Sequence, residues 1–199
     1  MKLPKDFYLQ PNVVQISRDL LGKFLYTNID GILTGGMIVE TEAYSGENDK
    51  ACHAHLGRRT NRTEIMYAEG GVAYVYLIYG IYNLFNIITN QKDKADAVLI
   101  RAIEPTEGLK EMQLRRNLPK VQQNLTAGPG LLTQALGISL KHYGADLTGN
   151  QIWIEDQGII IPDSDMIESP RVRVAYAEDH ALLPWRFRVK GNKWTSKAK

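Results

Sequence analysis

One cysteine, Cys52, stands among 199 residues. No disulfide can form within the chain, and no metal site built from several thiolates can either. Only four histidines are present. None belongs to a His-Glu-x-x-His motif, and no Pro-Cys-x-x-Cys follows as zinc deaminases require. A serine nucleophile elbow, a Walker A loop and a dinucleotide-binding glycine pattern are all missing. No apolar run approaches the ~18 residues of a membrane span. The opening Met1-Lys2-Leu3-Pro4-Lys5-Asp6 lacks the apolar stretch of a signal peptide. A cytoplasmic or nuclear protein is therefore expected, with no secretion and no membrane partner. Internal repeats, low-complexity tracts and Pro/Ser-rich linkers are absent too, which points to one domain over residues 1–199, frayed after about residue 195.

What is present is ordinary for a globular chain: 44% hydrophobic and 23% charged residues. The net charge of +2 hides an asymmetry. Residues 145–168 hold six acidic side chains and no Lys or Arg, a net of −6. Residues 171–199 hold eight Lys and Arg against Glu178 and Asp179, a net of +6. The basic end is either a patch for a polyanion or a solvated tail.

Local patterns suggest the elements. Val13, Ile16, Leu20 and Leu21 follow helical spacing, with Gly22 at the C-cap position. Phe24 to Thr27 and Gly36 to Tyr44 read as strands around an Asp30-Gly31 turn. Residues 45–62 form a long polar loop. Strands are expected at 72–79 and 82–88 around Gly80, and again at 97–102, 151–161, 171–176 and 185–190. Helices are expected near 106–117 and 129–136, the second with Pro129 in its first turn. Strands and helices mix without βαβ alternation. This predicts an α+β fold: one compact domain with a mainly antiparallel curved sheet, surrounding helices and a protruding β-hairpin.

Four constellations carry chemistry. Strand period 2 places Glu40, Glu42 and Tyr44 on one face, where two carboxylates are either salt-bridged or tuned as a general base. Five of the ten tyrosines lie between residues 67 and 82. Tyr79 and Ile81 flank Gly80, so they sit at a hairpin tip, as core fillers misplaced or as a wedge for a base stack. Cys52-His53-Ala54-His55 lies in the long loop with Arg58, Arg59 and Arg62. The histidines offer metal ligands only without a recognisable second pair, and no metal is expected; the arginines suit phosphates. Arg101 interrupts an apolar strand and needs a carboxylate, with Glu42 and Glu40 as candidates.

Together these segments resemble the alkyladenine (3-methyladenine) DNA glycosylase family. The resemblance runs from Leu20 to Trp194. It rests on Arg18 to Lys23, Ile38 to Tyr44, Ala51 to His53, Tyr74 to Gly80, Asn86, Val98 to Ala102, Glu104-Pro105, Gly128-Pro129-Gly130 and Ser169 to Val172. Their order and spacing, more than any single motif, make it specific.

The resemblance implies a monomeric enzyme, without cofactor, that excises damaged purines from double-stranded DNA. Glu42 would activate water, held with help from Arg101 and the Val172 carbonyl. Tyr44, His53 and Tyr76 would wall the pocket around the flipped base, and Asn86 would clash with the amine of guanine. Tyr79 would be the wedge, with Arg58, Arg59, Arg62, Ile81 and Tyr82 on DNA. No lysine lies in 37–44 or 72–88, so a monofunctional enzyme without lyase chemistry is expected. Three positions depart from the family pattern: Leu131 where Lys is common, Thr63 in place of Asn, and Arg173 in place of Gly. Two rivals remain: a DNA-binding protein that has lost activity, and a metallohydrolase built on His53 and His55.

Overall fold

The computed structural model describes residues 1–197. Among them are eight strands: β1 (Phe24–Ile29), β2 (Ile32–Tyr44), β3 (Ala73–Ile78), β4 (Tyr82–Thr89), β5 (Asp96–Glu107), β6 (Ile152–Glu155), β7 (Met166–Ser169) and β8 (Arg186–Val189). Their order is β3-β4-β5-β2-β1-β6; β8 pairs with both β2 and β7. All these pairings are antiparallel. Four α-helices, α1 (Lys5–Tyr8), α2 (Val13–Asp19), α3 (Leu109–Arg116) and α4 (Pro129–Leu136), flank the sheet. The α+β expectation holds.

Each strand forms for a local reason. Asp30 and Gly31, at φ +55° and +77°, make the two-residue turn joining β1 to β2. The 13-residue β2 is the spine, paired with β1, β5 and β8. The residues of the sheet divide between two cores. Ile38, Val98, Ile100, Phe85 and Ile87 join α2 and α4 in the main cluster. On the opposite face Tyr74, Ile88 and Ala97 pack with Cys52, Met66 and Tyr67 beneath the long loop. Asn12 caps α2 through a 3.0 Å bond from the Gln15 amide.

Several expected elements differ. Residues 171–176 form no strand: Arg173 sits at φ +60° and a 3-10 segment begins at Ala175. The region 151–161 contributes only β6, and β5 runs to Glu107, so α3 starts at Leu109 rather than 106. Helix α2 ends with Leu20 as C-cap; Gly22, at φ +85°, instead turns the chain so that its amide donates to the Ile38 carbonyl. The expected fraying after about residue 195 lies partly outside the described residues, but Ser196 is buried.

Candidate active site

The β2–β5 pairing is irregular where the carboxylates enter. Ile38 pairs with Ile103, Glu40 with Ala102 and Thr41 with Ile100. Val39 and Arg101 each stand unmatched, on opposite strands, so the ladder carries two bulges in succession. The Arg101 side chain meets both carboxylates: its Nε donates to Glu40 Oε1 at 2.7 Å, and its Nη1 lies 3.2 Å from Glu42 Oε1.

The two glutamates then diverge. Glu40 also accepts from Arg186 Nε at 2.8 Å, from the Ser196 amide at 2.6 Å and from the Ser196 hydroxyl at 2.9 Å. Burial pushes its carboxyl up, but Arg101, Arg186 and the Ser196 amide outweigh that and hold it below the usual range. For Arg101 burial pulls the guanidinium down, and Glu42 and Glu40 more than restore it. Glu42 lines a cleft of about 650 Å³, whereas Glu40 does not. Its Oε1 accepts the Val172 amide at 2.8 Å and its Oε2 accepts the Tyr44 hydroxyl at 2.7 Å. It is the amide of Val172, not the carbonyl, that is joined to Glu42 here.

Aromatic side chains wall the same cleft. His53 meets Tyr76 edge-on with ring centroids 4.9 Å apart, and its Nδ1 lies 2.9 Å from the Tyr74 hydroxyl. Burial, then Arg62 and Arg58, lower the His53 pKa to about 4, so the imidazole is neutral near pH 7. Tyr44 lies under the Arg171 guanidinium at 4.8 Å, and Arg171 is locked to Asp49 and to the Ala43 carbonyl. Asn86, buried in β4, donates to the Tyr74 carbonyl at 3.1 Å.

The β3–β4 hairpin reaches past the sheet, since β5 pairs with β4 only from Asn86 onward. Its tip carries Tyr79 and Gly80 at φ +53° and +71°, closed by the Ile81 amide on the Ile78 carbonyl. Tyr79 and Ile81 are 65% and 70% exposed, which is open to a partner and unlike core. Helix α4 braces the ribbon: the Thr133 hydroxyl donates to the Asn83 carbonyl at 2.7 Å.

Of the expected residues, Glu42, Tyr44, His53, Arg62, Tyr76, Tyr79, Tyr82, Asn86, Arg101 and Val172 all line the cleft. Arg58, Arg59 and Ile81 do not. Arg59 is taken up by Glu64, Asp93 and the Tyr67 ring. The Arg62 guanidinium carbon lies over the Tyr76 ring, 4.5 Å from its centre. Sequence reasoning missed Tyr74 as a wall residue, although its strand face already grouped it with Tyr76. It also missed the Arg186 and Ser196 clamp on Glu40, and Lys197, which reaches the cleft from the C-terminal segment. Among the described residues no group of three or more His, Cys, Asp and Glu could hold a metal ion. Cys52 is buried, and burial pushes its thiol up to about 12. Among the described residues no helix is long and apolar enough to cross a membrane.

The sequence model of the methylpurine-DNA glycosylases matches residues 6–193. The chain belongs to that family. A protein of Clostridium perfringens named "Putative 3-methyladenine DNA glycosylase" is 43% identical over 205 residues, covering 99% of this chain and all of the relative. A Bacillus cytotoxicus protein of the same name is 44% identical over 209 residues with the same coverage. This methylpurine-DNA glycosylase is thus a DNA-repair hydrolase, and the cleft holding Glu42 is its candidate active site. Of the three positions expected to depart from the family pattern, Leu131 and Arg173 line the cleft, whereas Thr63 does not and donates to the Arg58 carbonyl at 2.9 Å within the long loop.

Proposed function

We propose that this glycosylase extrudes N-alkylated purines, 3-methyladenine and 7-methylguanine first among them, from duplex DNA and hydrolyses the N-glycosidic bond with a water activated by Glu42. Hypoxanthine and 1,N6-ethenoadenine extend the same range. One observation carries the reading. Glu42 alone of the two fully buried glutamates borders the cleft, with its carboxylate fixed by the Val172 amide, the Tyr44 hydroxyl and Arg101.

The chemistry follows from the parts. A base inside a stacked duplex is out of reach, so the nucleotide must be rotated out. Tyr79, exposed on its hairpin tip, fills the vacancy. The flipped purine enters between Tyr44, His53 and Tyr76, and Asn86 beneath discriminates against the amine of guanine. Aromatic faces favour a cation by about 0.5–2 kcal/mol. The base must displace Arg62 from Tyr76, one cation exchanging for another. The water oxygen then bonds to C1′ as the C1′–N bond breaks. The bonding pair leaves with the purine, and the water proton passes to Glu42. A cationic base such as 3-methyladenine or 7-methylguanine leaves as a neutral molecule, so it requires no acid, whereas neutral hypoxanthine or ethenoadenine would leave as an anion and needs a proton delivered to the base as the bond breaks. The negative carboxylate also offsets the charge developing on the sugar.

Base release from duplexes carrying each of the four lesions tests this. The expected result is release of the methylated bases without a covalent adduct on borohydride treatment. That treatment matters because Lys197 lines the cleft. No release from any duplex, with binding intact, would replace the enzyme with a DNA-binding protein. A trapped adduct would make the enzyme a lyase.

A further inference from the structure

Arg173 has a place in the cleft that neither the fold nor the chemistry above requires. Its backbone is left-handed, at φ +60°, a conformation that disfavours any residue with a Cβ. Its side chain is exposed and lines the mouth of the cleft. Arg171 and Arg186, its basic neighbours in sequence, are buried on the carboxylates of Asp49 and Glu40. Arg173 has no such anchor. Its one hydrogen bond among the described residues runs from Nη1 to the Tyr79 hydroxyl at 3.3 Å, and its guanidinium carbon lies 5.7 Å from the centre of the Tyr79 ring. Tyr79 is itself left-handed, at φ +53°. Two strained, exposed residues on different loops therefore face each other across the opening. Strain retained at a site points to use there.

We propose that Arg173 binds a DNA phosphate at the mouth of the cleft: it rests on Tyr79 in the free protein and passes to the backbone of the flipped nucleotide when Tyr79 moves into the stack. A neutral phenol hydroxyl is a weak partner for a guanidinium. A phosphate offers two oxygens in the matching fork geometry. The extruded nucleotide must cross the opening that Tyr79 borders, which brings its phosphate to Arg173. Leu131 lines the same cleft as an apolar residue, so it offers no cation of its own. Insertion of the wedge and capture of the phosphate become one event, since the residue that holds the wedge back is the one the DNA draws away. This rests on the base-flipping reading above.

The test is binding of a duplex that carries a tetrahydrofuran abasic analogue, measured across a salt series. Arg173→Gly suits the left-handed backbone and so keeps the fold. Its slope of log affinity against log salt should be shallower than wild type by about 0.9, the loss of one phosphate contact. Arg173→Lys should retain the wild-type slope. An unchanged slope in Arg173→Gly overturns the proposal. A 2-aminopurine placed at the flipped position separates the two readings. If wild type gives no rise in its fluorescence, base flipping fails and Arg173 with it. If the rise is intact in wild type and the slope is unchanged, only Arg173 fails.

Discussion

Glu40 and Glu42 sit two residues apart and touch the same arginine, yet their surroundings give them different tasks. Glu40 is enclosed by Arg101, Arg186 and Ser196, while Glu42 keeps one side toward the cleft. Removing the Glu40 charge leaves Arg186 buried without a carboxylate. Glu40→Gln should therefore lose about 3–5 kcal/mol of stability, the range for breaking a buried pair. In Glu42→Gln, Arg101 still has Glu40, so melting should change far less. Thermal melting of the two variants checks the division; equal losses would contradict it. His53 supplies a pH signature. In the unfolded chain it takes up a proton as pH falls below 6.5, whereas the folded protein resists until about 4. The unfolded state binds more protons across that window, so the folded state loses stability as pH falls from 6.5 to about 4. His53→Gln should flatten this decline. Part of it will remain, because burial lowers His142 as well. A melting-temperature profile that is identical in both proteins would refute the contribution of His53.

At the scale of elements, the β3–β4 hairpin decides whether the tyrosine stripe is wedge, wall or core. Tyr79 is exposed at the tip, so Tyr79→Ala should leave melting nearly unchanged and weaken lesion-DNA binding by about 1–3 kcal/mol, the range for lost base stacking. Excision should fall with it, less so on single strands, where no gap needs filling. Tyr76 lies against His53 and Tyr74. Tyr76→Ala should impair release of cationic bases on duplex and single strand alike. A large melting loss in Tyr79→Ala with unchanged DNA affinity would overturn the wedge. This hairpin was legible in the sequence because Gly80 breaks an apolar run at the one place a turn can form. The Arg101–carboxylate contact was legible too, since a lone arginine among Val98, Leu99, Ile100 and Ala102 has few ways to be satisfied. Other elements left no such mark. Helix α1 has four residues, too few for periodicity, and β7 lies within the acidic run. The stretch 171–176 has alternating apolar residues, but Arg173 turns left-handed and breaks the strand pattern. The clamp on Glu40 joins residues 156 positions apart, a distance at which no local pattern speaks.

Across the whole molecule, the basic C-terminal stretch is not one solvated patch. Arg171 and Arg186 are buried and paired, so the charge that DNA meets comes from fewer residues than the count suggests. Two of the cations lining the cleft, Arg62 and Arg173, rest on tyrosine rings, Tyr76 and Tyr79, from which an entering base or an inserting wedge would release them. On the proposed reading the free protein holds these two DNA contacts on its own aromatic side chains, and a net charge of only +2 leaves local placement as the main electrostatic source of affinity. On the proposed mechanism this arrangement serves one carboxylate, Glu42. Single-turnover release of 3-methyladenine and 7-methylguanine from methylated duplex, compared between wild type and Glu42→Gln, tests it most directly, with affinity for an abasic-analogue duplex measured alongside. Binding should be unchanged and release should fall by a factor of about 10²–10⁴. Release at the wild-type rate from Glu42→Gln would contradict the account.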